Sequence, residues 1–227
     1  MKQQQRTEIT VTRIVEAAIE EFGSRGYSGG SVNNICAAGI NKGLIYHNFK
    51  DKDQLYLECL RISCSRLTEY VHEQGADCDL IRYMNARMDF FTEYPREAHI
   101  FFEALLNPQI TLKDEIDLAM KEFNTLNEKI YSRTVKSLEL REGVTFDEAL
   151  SYFRQMQIMF NGYFSSPAYR DETLEEKIKI HEAGIPKLFE FMLYGVAEGG
   201  KRYWLLLQRA GLQLWQQHFW RANLCQK

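Results

Sequence analysis

The chain has 227 residues, of which 45% are hydrophobic and 26% are charged, and this composition is typical of globular proteins rather than disordered chains. No apolar run reaches the roughly 18 residues that a membrane helix needs, and the polar N-terminal residues lack the apolar stretch of a secretory signal. The five cysteines form no CxxC pair, which favours reduced thiols over a disulfide framework or a zinc site. We therefore expect a cytoplasmic protein without a membrane partner.

The net charge is −3, which gives no support for binding to a polyanion. Residues 1–70 hold 9 basic and 8 acidic side chains (+1), and the remaining residues hold 19 and 23 (−4). Nucleic-acid binding is not excluded by these numbers, because a small reading domain needs only a local basic surface.

Apolar residues recur at helical spacing along most of the chain, and there are only four prolines, so the sequence predicts an all-α protein. The first predicted helix spans about Thr10–Arg25, with Gly26 as its C-terminal stop. Further helices are predicted, in chain order, over Val32–Ala38, Lys42–Asn48, Lys52 to beyond Val71, Leu80–Glu93, Pro95–Leu106, Leu112–Leu140, Phe146–Phe164 and Glu172–Val196.

The segment 201–227 differs in composition, because it is basic and contains all three tryptophans. Its apolar residues follow helical spacing at Leu205, Leu212, Trp215 and Phe219. Three interpretations stay open: a last helix packed on the body, a membrane-surface helix, or a tail that is poorly ordered or foreign to the fold.

The segment from Ser31 to Phe49 predicts two short helices joined by a tight turn. Ser31 and Asn41 are good N-caps for the two helices, and Gly39 is able to adopt the positive φ that ends the first of them. Ile40 is expected to be the buried plug of the turn. The inward side chains are predicted to be Val32, Ile35, Cys36, Ile45 and Phe49.

This arrangement is typical of a helix-turn-helix, whose second helix enters the major groove of DNA. Lys42 and Lys52 provide charge for phosphates, Tyr46 and His47 provide hydrogen bonds, and Leu44 can contact a thymine methyl group. An ordinary helical corner without a DNA role is the alternative. The predicted DNA-binding residues are Ser31, Asn41, Lys42, Gly43, Leu44, Tyr46, His47, Asn48 and Lys52.

This segment resembles the DNA-binding head of the TetR family of bacterial one-component regulators. The matching features are the Gly26-Tyr27 pair, the Gly39-Ile40-Asn41-Lys42-Gly43 turn, and the run from Ile45-Tyr46-His47-Asn48-Phe49 into Lys50-Asp51-Lys52. The resemblance covers roughly Ile9–Leu60. It implies a three-helix head on a larger helical body that binds an effector and dimerises, with repression more typical of the family than activation.

The head departs from the family pattern at two places. Four residues separate Ile35 from Ile40, where family members usually have five, so the second helix or the turn is one residue shorter here. Gly29-Gly30 stands where a threonine that helps to hold a phosphate is commoner.

For the body, the resemblance implies an effector pocket and a homodimer paired through the last two helices, Phe146–Phe164 and Glu172–Val196. The second of these carries a predicted interface of Ile185, Leu188, Phe189 and Met192. The candidate effector-binding residues are Arg87, Phe91, Phe102, Glu103, Met156, Phe160 and Asn161, with plain core packing as the alternative for each. The expected division is therefore residues 1–52 for DNA, 53–200 for the effector and the dimer, and 201–227 for the basic segment.

Signals for catalysis are poor. Glu69-x-x-His72 is a single motif, whereas a helical di-metal site needs two such motifs and further glutamates. We expect no cofactor, no metal and no enzyme activity. The expected partners are double-stranded DNA, a second copy of the chain and a small-molecule effector. The rival interpretation is a helical effector-binding or interaction protein whose head no longer reads DNA.

Overall fold

The structure is a computed structural model, and it describes residues 2–196. Every element over these residues is helical, which confirms the predicted fold class. The α-helices are α1 (Lys2–Gly29), α2 (Val32–Ala37), α3 (Lys42–Asn48), α4 (Lys52–Glu73), α5 (Leu80–Glu93), α6 (Pro95–Leu106), α7 (Lys113–Ala119), α8 (Lys121–Lys136), α9 (Phe146–Tyr163) and α10 (Leu174–Val196). Short 3-10 turns occur at Ile110–Leu112 and Pro167–Tyr169. The segment 201–227 lies outside the described residues, so its three interpretations stay predictions.

The single helix predicted over Leu112–Leu140 is wrong. The chain forms a 3-10 turn, then α7, then α8, which ends at Lys136. Met120 leaves the helical conformation with φ −85° and ψ 2°, and its N–H bonds back to Ile116 O. Ile116, Met120 and Phe123 are all buried nevertheless. The helical spacing of apolar residues therefore continues through the break and gives no sign of it. The first helix also begins earlier than predicted, at Lys2.

The chain divides into two compact units. Among the described residues, the first comprises 2–69 and 93–124, and the second comprises 70–92 and 125–196. The head predicted for residues 1–52 lies wholly in the first unit, which also contains most of α4, all of α6 and α7, and the start of α8.

In the first unit, α1 packs closely along α6. The predicted stripe of Ile14, Ala18 and Phe22 is buried. Gly23 makes the close approach possible, because a Cβ there would lie 2.7 Å from the backbone oxygen of Arg96. The head is thereby fixed to a long, well-packed support.

In the second unit, α9 packs on α10, and the core is aromatic. The ring of Tyr131 lies 6.0 Å from that of Phe153 and 6.1 Å from that of Phe189, between ring centroids. Ile185, Phe189 and Met192 of α10 are buried in the chain's own core. Their predicted role as a dimer interface is therefore wrong for these three side chains, because one protomer already covers them.

Candidate nucleic-acid interface

The two short helices are capped as the sequence predicted. Ser31 Oγ accepts a 3.3 Å hydrogen bond from the N–H of Asn34, and Asn41 Oδ1 accepts one of 2.7 Å from the N–H of Gly43. Gly39 turns the chain between them with φ +81°. Such caps supply partners for backbone donors that no helical carbonyl reaches, so α3 is held firmly even though it is only seven residues long.

The inward side of the helix pair is closed by Val32, Ile35, Ile45 and Phe49, which are all buried. Ile40 is only half-buried, so its predicted role as the plug of the turn is corrected. Ile35 and Ile45 are each 1% exposed and supply the packing between the helices that Ile40 was expected to supply.

The outward side of α3 exposes large side chains. Leu44 and Tyr46 are 46% and 49% exposed, and Lys42, Gly43 and His47 are exposed beside them. Asn48 is half-buried and donates a 2.7 Å hydrogen bond to Leu44 O. The same short helix therefore presents a cation, hydrogen-bonding groups and an apolar tip on one surface, which are the side-chain types that contact phosphates and base edges.

Lys42 has a partner that the sequence did not reveal. Its Nζ donates a 2.9 Å hydrogen bond to Asn33 Oδ1 on α2 and lies 6.0 Å from the centre of the Tyr46 ring. The contact joins the two helices across the turn that is one residue short, and it keeps the ammonium group on the exposed side of the pair.

The beginning of α2 is held by Glu21 of α1. One carboxylate oxygen accepts a 3.1 Å bond from the N–H of Ser31 and a 2.7 Å bond from Asn34 Nδ2. The N–H of Ser31 and its hydroxyl group both have partners inside the chain. Glu21 carried no sequence signal, because its partners lie 10 and 13 positions further along the chain.

Lys52 begins α4 above an aromatic platform. Its Nζ lies 4.5 Å from the centre of the Tyr27 ring, within the range of a cation–π contact. The Tyr27 hydroxyl donates a 2.6 Å hydrogen bond to Asp53 Oδ1. This hydrogen bond, together with burial, raises the pKa of Tyr27 to about 12. Tyr27 therefore stays protonated at neutral pH and holds the start of α4.

Residues 14–59 match the family model described as "Bacterial regulatory proteins, tetR family". The head of the chain thus belongs to the TetR family. The resemblance drawn from Gly26-Tyr27 and the turn at Gly39 is thus confirmed.

Curated relatives align with part of the chain. The HTH-type transcriptional repressor AcnR of Corynebacterium diphtheriae is 36% identical over 72 residues, which cover 30% of this chain and 38% of the relative. AcnR of Corynebacterium glutamicum is 38% identical over 63 residues, which cover 27% and 34%. The alignments thus span little more than a third of these relatives' own length.

A solved structure covers more of the chain. The structure named as a tetR family transcription regulator from Shewanella sp. PV-4 aligns with TM-score 0.54 and 17% identity over 83% of this chain and 98% of that one. At this identity the likeness shows the fold, namely a TetR head on a helical body.

The candidate effector residues are distributed over both units. Phe102 and Glu103 belong to the first unit, where Glu103 accepts a 2.9 Å bond from the N–H of Tyr27 and a 3.1 Å bond from Tyr56 Oη. Burial raises the pKa of Glu103, although these hydrogen bonds oppose the shift. Glu103 is thus engaged with the TetR head. Arg87, Phe91, Met156, Phe160 and Asn161 all lie in the second unit.

A buried polar cluster surrounds three of these second-unit candidates. Arg87 Nη2 lies 2.7 Å from Glu182 Oε1, and the same oxygen is 2.9 Å from His181 Nδ1. His181 Nε2 lies 2.9 Å from Asn161 Oδ1, and the Arg87 guanidinium is 5.1 Å from the centre of the Phe91 ring. His181 and Glu182 were missed, because adjacent polar residues on a helix give no sequence signal of burial.

The surroundings shift the pKa values of the two titratable residues on α10 in this cluster. Burial alone raises the pKa of Glu182, but Arg87 and His181 outweigh it and hold the value below normal. Burial lowers the pKa of His181. Glu182 Oε2 is buried and has no hydrogen-bond partner among residues 2–196, an arrangement that is rare in protein interiors. Over the same residues no group of three potential metal ligands occurs, and no helix is long and apolar enough to cross a membrane.

An exposed apolar surface lies on α9 and α10, and we call it the α9–α10 face. On α9, Ile158 is 71% and Met159 is 67% exposed, and on α10 Phe191 is 64% exposed. Tyr163 is also exposed, and the predicted interface residue Leu188 is half-buried. Large apolar side chains exposed on two helices that pack together are typical of interaction surfaces.

Proposed function

We propose that the chain is a TetR-type one-component transcriptional regulator that binds duplex DNA with α3 in the major groove. The observation that carries the proposal is the exposed surface of α3, where Leu44, Tyr46 and Lys42 project from a seven-residue helix that is capped at its start and buried along its back. A helix held in this way presents its side chains to base edges without further ordering. Lys42 and Lys52 are the proposed phosphate contacts.

We propose further that the regulator is a cytoplasmic homodimer joined through the α9–α10 face. A two-fold dimer presents two heads, which suits a palindromic operator. Exposed side chains such as Ile158, Met159 and Phe191 support this pairing, because each large apolar side chain removed from water contributes about 1.5–3 kcal/mol.

An effector is proposed to bind in the second unit beside the buried polar cluster. The unpartnered Oε2 of Glu182 and the half-buried Asn161 offer polar contacts, and Phe91 and Phe160 offer apolar ones. The FadR regulator of Bacillus subtilis, which aligns over 75% of this chain and 95% of its own with TM-score 0.51 and 17% identity, was solved in complex with stearoyl-CoA. That complex supports the proposal that a protein of this fold can bind a small molecule.

The proposed mechanism is a shift between two conformations of the dimer. An effector that binds better to the conformation with the poorer head spacing lowers the affinity for DNA by its differential binding energy. Repression is proposed rather than activation, because the curated relatives that match part of the chain are named as repressors.

The test is selection of bound sequences from a random duplex library, followed by binding of the enriched site by wild type, Leu44→Ala and Tyr46→Ala. The expected result is a palindromic site. The wild type binds this site more tightly than random duplex, and at least one of the two variants shows a smaller ratio between these affinities. Lys129→Ala, an exposed change on α8, serves as the control and leaves binding unchanged. Enrichment of no sequence, with equal weak binding to all duplexes, would contradict the proposal and favour a head that no longer reads DNA.

A further inference from the structure

Glu103 of α6 accepts hydrogen bonds from the first helix at its kink. Gly26 adopts φ +67° and ψ 176°, which interrupts the helical conformation of α1 just before Tyr27. Both carboxylate oxygens of Glu103 lie 2.9 Å from the backbone nitrogen of Tyr27. A Cβ on residue 26 would lie 2.7 Å from Glu103 Oε1, so glycine is needed there for the contact as well as for the backbone conformation.

The same carboxylate holds a second aromatic residue. Tyr56 of α4 donates a 3.1 Å hydrogen bond to Glu103 Oε2 and is almost completely buried. The rings of Tyr56 and Tyr27 stand edge to face, with centroids 5.0 Å apart. Tyr27 is therefore fixed through its backbone by Glu103 and through its ring by Tyr56.

The fixed ring of Tyr27 is the platform for Lys52, whose Nζ lies 4.5 Å from the ring centre. The Tyr27 hydroxyl also holds the neighbouring Asp53. A lysine contributes most to phosphate binding when its flexible stem is already placed, because less rotamer freedom is lost on binding. The position of the Lys52 ammonium group thus depends on a carboxylate 51 residues further along the chain.

We propose that Glu103 is a positioning residue for DNA binding, which acts through Tyr27 to hold Lys52 where it contacts a DNA phosphate. The proposal rests on the proposed function, since it requires that the head bind duplex DNA. A merely structural role would lower the stability of the fold without changing how many phosphates the folded protein contacts.

The test compares Glu103→Ala and Glu103→Gln in the wild-type and Lys52→Ala backgrounds. Affinity for one duplex is measured by fluorescence anisotropy between 50 and 200 mM salt, and each value is corrected for the folded fraction from circular dichroism. Losing one phosphate contact lowers the affinity ratio across this salt range about threefold for each bound head. Removing a negative charge near DNA has the opposite effect on the salt slope, since it relieves repulsion that is strongest at low salt.

The expected result is a flatter salt slope for Glu103→Ala in the wild-type background and no further change in the Lys52→Ala background. Glu103→Gln keeps an accepting oxygen for Tyr27 and loses the same charge, so its slope stays closer to wild type. Glu97→Gln is the matched control: Glu97 is a buried glutamate on the same helix, paired with Arg66 at 2.8 Å, and its loss leaves the slope unchanged.

Three outcomes overturn the proposal: an unchanged or steeper slope in Glu103→Ala, an equal flattening in both backgrounds, or identical slopes for the alanine and glutamine variants. Should Glu103→Ala fail to fold, Tyr27→Leu replaces it, because this variant keeps the backbone N–H and removes the aromatic platform together with the hydroxyl bond to Asp53. It is expected to flatten the slope, and an unchanged slope contradicts the proposal. If the wild type binds no duplex, the proposed function is refuted as well. If the wild-type salt slope is steep and the Glu103 variants have the same slope as the wild type, only the positioning role is refuted.

Discussion

Asn33 Oδ1 accepts a 2.9 Å hydrogen bond from Lys42 Nζ, so the two helices of the reading head are joined by a side-chain contact as well as by the turn. The contact lies on the exposed side of the head, next to the groups proposed to bind DNA. Asn33 is therefore in direct contact with the ammonium group of the first proposed phosphate contact.

Asn33→Asp is expected to weaken binding to every duplex. The new carboxylate pairs with Lys42 and repels the phosphate, and a unit charge at about 4 Å in water is worth about 1 kcal/mol, on the order of fivefold in affinity for each head. Asn33→Ala, which adds no charge, is the control and has a much smaller effect. Anisotropy with specific and random duplexes measures both, and equal affinities for the two variants would contradict this electrostatic account.

Charge placed on the α9–α10 face is expected to dissociate the dimer. Met159→Glu and Phe191→Glu each bury a carboxylate against the partner without a compensating cation, which is strongly unfavourable. Leu118→Glu on α7 changes a comparably exposed side chain outside this face and leaves the assembly intact. Sedimentation velocity at micromolar concentration distinguishes the species. A wild-type monomer, or a Met159→Glu dimer as stable as wild type, would rule out this interface.

The buried His181 predicts a pH dependence of stability. Because burial lowers its pKa in the folded protein, the unfolded chain binds more protons as the pH falls from 7 towards 5, and the free energy of unfolding decreases over that range. His181→Gln removes this titration, so its free energy of unfolding changes less between pH 7 and 5. Urea denaturation at the two pH values gives the comparison. Equal pH dependence in both proteins would show that His181 is not the responsible group.

Two glycines with positive φ are expected to respond differently to alanine. Gly39→Ala introduces backbone strain alone, about 1 kcal/mol, because nothing lies within 4 Å of the added Cβ. Gly26→Ala adds the 2.7 Å clash with Glu103 and is expected to cost clearly more. Thermal or urea unfolding of the two variants measures the difference, and equal losses would show that Glu103 moves aside freely.

Sequence reasoning predicted the elements that end at capping residues or prolines. The bounds of α3, α5 and α6 agree with the predictions at both ends, because Asn41 caps the first of these and Pro95 opens the last. The break at Met120 was not predicted, because no glycine or proline stands there and the apolar spacing continues through it.

Contacts between residues that are far apart in the chain could not be predicted from the sequence. The partner of Glu103 lies 76 positions away at Tyr27, so its acidic character alone suggested an effector contact instead. The helical spacing of Ile185 and Phe189 correctly indicated one apolar side of α10, but spacing does not tell whether that side is covered by the same chain or by a partner. The structure covers both side chains within one protomer.

The most direct test of DNA reading by this head is the salt dependence of duplex binding by wild type and Lys42→Ala. Wild-type affinity is expected to fall steeply with salt, and Lys42→Ala is expected to bind all sequences more weakly, with a salt slope reduced by about one charge for each head. Lys129→Ala, an exposed lysine on α8, keeps the wild-type slope. Wild-type affinity and slope retained in Lys42→Ala would contradict the docking of α3 on DNA.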